Sequence, residues 1–285
     1  MVRKLVRRLC SVLPGAREEV PNVQKRIRLR LEAMQDAGRP VLCNLGCGRR
    51  HNPAWINIDF HGDGDNVLPW DLRRGLPLPD GSCDVVYSSH VIEHFDRHGG
   101  RRFLDECRRV LKPGGILRLV APDLEGVARS YLSCLEAVRR GEPGAAERYE
   151  WIVIEMLDQL VRHRSGGEML EYWSGDTVLA EDFVAARVGT EYYRARAHCK
   201  NRKIQPASIM TPTEIGLFRV CGEVHQWMYD SYSLEKLLGD SGFIDIMICD
   251  ANRSSITDFA SYNLDTEPDG SIYKPDSFFT EAKAP

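Results

Sequence analysis

At 285 residues the chain is long enough for one large domain or two small ones, and it can bury a sizeable core without disulfide or metal staples. Hydrophobic residues make up 43% and charged residues 28%, which excludes a disordered or collagen-like chain. No apolar run approaches the roughly 20 residues that a membrane span needs, and a net charge of −3 argues against a general nucleic-acid binder.

The one basic region is the N-terminus. Residues 1–40 hold ten Lys/Arg and four acids, so that segment is basic and the rest of the chain acidic. Arg7 and Arg8 interrupt its apolar stretch, so a secretory signal is not expected. Residues 1–38 read as a basic helical segment. Transient peripheral contact with an anionic membrane surface is the sharper expectation for it. The nine cysteines are odd in number and scattered, which suits a reducing cytoplasm and buried thiols rather than a disulfide framework. Cys43, Cys47 and His51 are spaced by four, but no fourth ligand follows and Cys43 falls in an expected strand, so no metal is expected.

From residue 39 short β-like runs alternate with turns. Val41 to Leu45 runs into the turn Asn44-Leu45-Gly46-Cys47-Gly48-Arg49-Arg50. Trp55 to Asp59 alternates and closes on an acid, Val67-Leu68 leads to Pro69-Trp70-Asp71, and Asp84 to Ser88 is a fourth strand. The helical spacing of Phe103, Leu104, Cys107, Val110 and Leu111 predicts a helix over 99–111, ended by Lys112-Pro113-Gly114-Gly115. Ile116 to Ala121 is a fifth strand. Strands alternating with helices imply a mostly parallel sheet. Residues 124–222 break the rhythm, rich in helix signals and aromatics, and predict a helical cap inserted after the fifth strand. Its first two helices are expected to part at Gly141-Glu142-Pro143-Gly144. In residues 223–285 the chain returns to the core: a helix capped by Ser233 and stopping at Gly242, a strand from Phe243 to Cys249, and a last strand from Ser277 to Ala282.

The chemistry collects at strand ends. Glycines at 46 and 48 let backbone approach a ligand closely. Asp59 can accept both hydroxyls of a ribose, Asp71 falls where an adenine would lie, and Ser88 and Ser89 end the fourth strand. The carboxyl ends of parallel strands are where open α/β sheets bind ligands. A dinucleotide fingerprint wants a third glycine and an acid about 20 residues on, whereas His51 stands at the third position and Asp59 comes early. There is no phosphate loop either. A phosphate-free nucleoside fits better, and S-adenosylmethionine is the common one.

Together with Leu76-Pro77-Leu78-Pro79-Asp80, Val91-Ile92-Glu93-His94 and Arg109 to Gly115, these segments resemble class I S-adenosylmethionine-dependent methyltransferases of the type 11 kind. The resemblance covers residues 41 to about 123 closely and the final strands more loosely. It implies a Rossmann-like seven-stranded sheet with the last strand antiparallel. It also implies a cofactor site over Asn44, Gly46, Cys47, Gly48, Asp59, Asp71, Leu72, Ser88, Ser89 and His90, with S-adenosylhomocysteine as product. Asn44 departs from the acid frequent there, and Arg49 or Arg50 could pair with the cofactor carboxylate.

Transfer to a hydroxyl needs a base as well as alignment. His94, placed at the opening of the helix after strand four, is the first candidate. Asp123 could orient it, and His90 and His225 are alternatives. In the run His225 to Asp230, Trp227 and Met228 are expected to pack while His225 and Tyr229 face substrate, with Trp227 and Tyr229 as pocket wall. The aromatic cap and the lack of a basic groove point to a bulky small-molecule or glycan acceptor rather than nucleic acid. Two other readings stay open: a nicotinamide-dependent oxidoreductase, and a nucleoside-binding module without catalysis.

Overall fold

The computed structural model describes residues 20–200 and 210–285. Residues 1–19, where most of the membrane-contacting expectation falls, lie outside them. No helix among the described residues is long and apolar enough to cross a membrane.

The described chain divides into two compact units. The core unit holds 20–122, 229–270 and 278–285, and the helical unit holds 123–228 and 271–277, less the residues not described. In the core unit, helix α1 (Val20–Asp36) buries Val23, Ile27, Leu31 and Met34 on one face at helical spacing. Strands β1 (Leu42–Leu45), β2 (Ile56–Asp59), β3 (Val67–Pro69) and β4 (Cys83–Ser89) follow. Helix α2 (Arg97–Val110) and strand β5 (Leu111–Pro122) come next. After the helical insertion come α9 (Ser231–Asp240), β6 (Ile244–Cys249) and β7 (Ser277–Lys283). The sheet order among the described residues is β3-β2-β1-β4-β5-β7-β6. Strands β1 to β5 pair in parallel, and β7 pairs antiparallel with the edge strand β6. β1 is buried on both faces, as a central parallel strand should be. This is the Rossmann-like seven-stranded architecture that the resemblance implies.

Two boundaries differ from expectation. Lys112 to Gly115 end the helix but lie inside β5, which begins at Leu111 opposite Cys83 with a register shift before Val85. The glycines make that irregularity tolerable, and their backbone groups exchange bonds with Ala284: Gly114 N–H to the Ala284 carbonyl and Ala284 N–H to that of Gly115, each 2.9 Å. Helix α9 is capped by Asp230, not Ser233. Asp230 Oδ1 accepts from the Ser233 N–H at 2.7 Å, and Ser233 Oγ returns the bond to the Asp230 N–H at 3.0 Å. A carboxylate three residues earlier is the stronger acceptor for the helix terminus.

The segment 250–270 is fastened to the sheet by a charge cluster. Arg118 on β5 is fully buried and ion-paired to Asp265 and Glu281, both at 2.7 Å. Tyr87 donates to the other Asp265 oxygen at 2.5 Å, and the guanidinium lies over the rings of Phe259 and Phe279.

In the helical unit, α3 (Leu124–Arg139) and α4 (Ala145–Val161) part at 141–144 as the sequence predicts. Helices α5 (Gly167–Ser174), α6 (Glu181–Val188), α7 (Thr190–Lys200) and α8 (Pro212–Arg219) follow. Trp151, Trp173, Val184 and Tyr192 form its own apolar centre. Glu155, buried beside Trp151, takes a two-pronged bond from Arg187 and one from the Trp151 indole N–H.

Candidate active site

The turn after β1 is built on two glycines in the left-handed region, Gly46 at φ +66° and Gly48 at φ +50°. A Cβ at Gly46 would sit 2.2 Å from Val91 Cγ2, so only glycine fits where this turn packs on the segment after β4. A Cβ at Gly48 would meet nothing within 4 Å, so this backbone faces open space.

Asp59 closes β2 beside that turn. Its Oδ2 accepts the Gly48 N–H at 2.8 Å and its Oδ1 the His61 N–H at 3.1 Å. The Gly46 N–H reaches the Ile58 carbonyl at 2.8 Å, which ties turn to strand one residue before the carboxylate. Two bonds leave acceptor sites on the half-buried Asp59 carboxylate, since an ionised carboxylate offers about four. A pair of ribose hydroxyls can use them. Cys47, buried within the turn, has its thiol pushed up to about 12 by burial, with the Asp59 charge adding to it. It is no nucleophile at neutral pH.

Asn44 is fully buried beneath the turn. Its Nδ2 donates to the Arg50 carbonyl at 2.9 Å and to Asn57 Oδ1 at 3.3 Å, so its amide shapes the turn from inside. Arg50 bonds the Asn263 carbonyl at 3.1 Å and pairs with Glu267.

At the end of β3, Asp71 caps the short helical turn Leu72–Arg74. Both of its oxygens take bonds from the Arg73 guanidinium at 2.8 Å. Leu72 packs on the main core cluster. Ser88, buried at the end of β4, donates to the Leu45 carbonyl at 3.1 Å and so joins the β4 end to the glycine turn. Ser89 is half-buried. His90 takes φ +55°, unusual for a side chain of its size, and its Nδ1 lies 3.3 Å from Glu93 Oε1.

His94 lies in the single turn Ile92–His94, before the helix rather than at its opening; α2 is capped by Asp96, whose Oδ1 accepts the Gly99 N–H at 2.6 Å. Glu93, in the same turn, is fully buried and was assigned no role from sequence. The dipeptide Glu93-His94 was the available signal, but alternation and helical spacing do not show that a carboxylate here turns inward. Tyr229 is buried at 3% exposure, and its hydroxyl has no hydrogen-bond partner among the described residues. Burial and then the nearby Glu93 charge push that phenol up to about 12, so it stays a neutral donor.

In the helical unit, Asp123 caps α3 without a side-chain bond to it, and its N–H reaches the Asp276 carbonyl at 3.0 Å. His225 is buried, its N–H bonded to the Gln159 carbonyl at 3.0 Å. Trp227 is 40% exposed, contrary to the packing expected of it, while His225 and Tyr229 take buried places. A Trp at a polar chain return keeps contact with solvent when its neighbours fill the interior.

A family model described as a methyltransferase domain matches residues 46–119. A probable S-adenosylmethionine-dependent methyltransferase of Mycolicibacterium smegmatis is 46% identical over 117 residues, 38% of this chain and 45% of that one. Another, of Mycobacterium tuberculosis, is 48% identical over 48 residues, 17% of each chain. The chain thus spans less than half the length of the curated relatives it matches. Among solved structures, a SAM-dependent methyltransferase from Archaeoglobus fulgidus aligns over 94% of this chain and 95% of that one at 15% identity and a TM-score of 0.37. One from Thermotoga maritima aligns over 93% and 92% at 13% identity and a TM-score of 0.38. The sheet order, not these superpositions, carries the fold. A second family model, a sulfatase-modifying factor enzyme 1-like domain, matches residues 160–268. That stretch is divided between the two units and includes β6, the edge of the main sheet, so it is no separate domain here. The segment from Gly46 to Leu119, which holds the glycine turn and the Asp59 carboxylate, is thus similar to the methyltransferase domain of enzymes whose cofactor is S-adenosylmethionine.

Proposed function

We propose that the chain methylates a hydroxyl of a bulky small molecule, a sugar or a glycan precursor. One observation carries the cofactor half of this reading: the Gly48 N–H bonded to the Asp59 carboxylate at 2.8 Å, at the carboxyl ends of two neighbouring parallel strands. Bound there, S-adenosylmethionine supplies an electrophilic methyl on a neutral leaving group. Asp59 holds the ribose hydroxyls, the Gly48 backbone approaches without a side chain, and Ser88 fixes the β4 end against the turn. With so good a leaving group, alignment of the acceptor supplies much of the rate. An imidazole suits removal of the hydroxyl proton; His94 is our first candidate, with His90 and His225 as alternatives and Asp123 as an orienting acid. The neutral Tyr229 phenol is suited to donate to an acceptor oxygen. Trp227 offers an exposed ring that could stack on a sugar or a flat acceptor.

Support for the acceptor class is chemical. The chain is acidic overall outside residues 1–40, which disfavours a nucleic-acid backbone as substrate. The eight cysteines among the described residues are free thiols, which suits a reducing cytoplasm. Peripheral membrane contact through the basic residues 1–38 would bring the enzyme to lipid-linked acceptors.

The test is incubation with cofactor labelled in the methyl group and a panel of sugars, glycan precursors, RNA and protein. Label in hydroxylated small molecules or glycans, with S-adenosylhomocysteine formed in equal amount, is the expected result. Label confined to RNA or protein would overturn the acceptor assignment.

A further inference from the structure

The helical unit carries a cleft of about 410 Å³ between α3 and the start of α4. Its walls present three guanidiniums, Arg129, Arg140 and Arg148, against one carboxylate, Glu142. Arg129, Ser133 and Ala137 recur at intervals of four and form one stripe along α3, with Ser130 beside it and Arg140 following as its C-cap residue. Arg148 comes from the first turn of α4, across the cleft. Buried Cys134 and Ala137 line it from the apolar side.

The charges there are unequally satisfied. Arg129 pairs with Glu125 at 2.6 Å, and Arg140 with Glu142 at 2.8 Å and Glu136 at 3.8 Å. Both arginines are largely exposed, and such pairs exchange readily for a better anion. Arg148 is half-buried and makes no ion pair among the described residues. Its backbone N–H is spent on the Gly144 carbonyl at 3.4 Å, and its guanidinium keeps its donor fork available. Gly144, the residue before α4, has no side chain to cap that helix, and the first turn carries Glu147 just before Arg148.

We infer that this cleft binds a phosphate-bearing small molecule, with Arg148 as its main anchor and Arg129, Arg140, Ser130 and Ser133 around the oxyanion. A doubly charged tetrahedral group matches three guanidiniums and two hydroxyls better than a single carboxylate does, because it offers more acceptor oxygens and more charge. The volume exceeds that of a bare phosphate and falls in the range of small-molecule sites, so an organic remainder shares the cleft. The class of ligand is a sugar phosphate or similar phosphomonoester.

Calorimetric titration of the full chain tests this with three probes: inorganic pyrophosphate, a hexose 1-phosphate and the unphosphorylated hexose. Pyrophosphate and the hexose phosphate should bind, weakening as salt is raised, and the hexose alone should not. If the hexose phosphate binds more tightly than pyrophosphate, the sugar shares the cleft; if less tightly, the organic remainder has no place there and the site takes free oxyanions instead, which overturns the phosphomonoester assignment. Arg148→Ala should weaken binding by about tenfold or more, whereas Glu142→Gln, which removes the opposing charge, should tighten it severalfold. Circular dichroism and thermal melting show whether each variant is folded. No heat from either phosphate probe at millimolar concentration, equal binding by wild type and a folded Arg148→Ala, or equal binding of the hexose with and without its phosphate would overturn the assignment.

Discussion

Replacing Asp59 by alanine removes the acceptor for two backbone N–H groups together with the groups offered to a ribose. Hydrogen bonds to a charged group contribute about 1.5–3 kcal/mol, so Asp59→Ala should weaken S-adenosylhomocysteine binding roughly 10–100-fold by calorimetry. Asp59→Asn keeps one acceptor oxygen and should fall between. The two glycines separate a packing role from an access role. Gly46→Ala meets both a positive φ and Val91 at 2.2 Å, and should lower stability by about 2–4 kcal/mol in denaturant titration. Gly48→Ala meets only the φ cost of about 1–2 kcal/mol, yet should still weaken the ligand, because the new methyl points into open space. At this scale Gly46, Gly48 and Asp59 were readable from sequence, since a strand, a glycine pair and an acid closing the next strand are local signals. Glu93 and the lone Tyr229 hydroxyl were not, because burial of one polar side chain depends on what packs over it. Tyr229→Phe removes an unpartnered buried hydroxyl and should leave the melting temperature unchanged or higher.

The elements β1 to β5 were legible because each is a short buried apolar run bounded by turn residues. Their long-range fastenings were not: Arg118 and Asp265 are 147 residues apart and nothing in either neighbourhood marks the pair. Arg118→Met leaves Asp265 and Glu281 buried without their cation and should cost about 3–5 kcal/mol, read as a lowered denaturation midpoint. A milder fastening gives a pH signature. Glu106 on α2 bonds the Arg109 guanidinium at 2.7 Å and accepts the Leu76 N–H at 2.7 Å. The Arg109 bond holds its carboxyl below the ordinary range despite partial burial. Its stabilising contribution is therefore complete above the ordinary glutamate pKa and fades as pH falls through the depressed folded value. The gap in melting temperature between wild type and Glu106→Gln should be full at pH 7 and narrow as the pH is taken below the ordinary glutamate pKa.

Across the whole molecule, cofactor binding should register as stability of the core unit. S-adenosylhomocysteine at 100 times its Kd should add about 2.7 kcal/mol, with slowed amide exchange centred on residues 42–61 and 83–95. Protection confined to α3–α8 would contradict a site at the β1–β2 edge.

The brace on the glycine turn has a consequence for how the molecule comes to be. Arg50 is held by Asn263 and Glu267, more than 210 positions downstream. During synthesis the glycine bend therefore waits, unfinished, while the eight helices α2 to α9 emerge. Maturation of ligand affinity should lag behind acquisition of helical signal on refolding, because a loop of that span must close before its reward is collected.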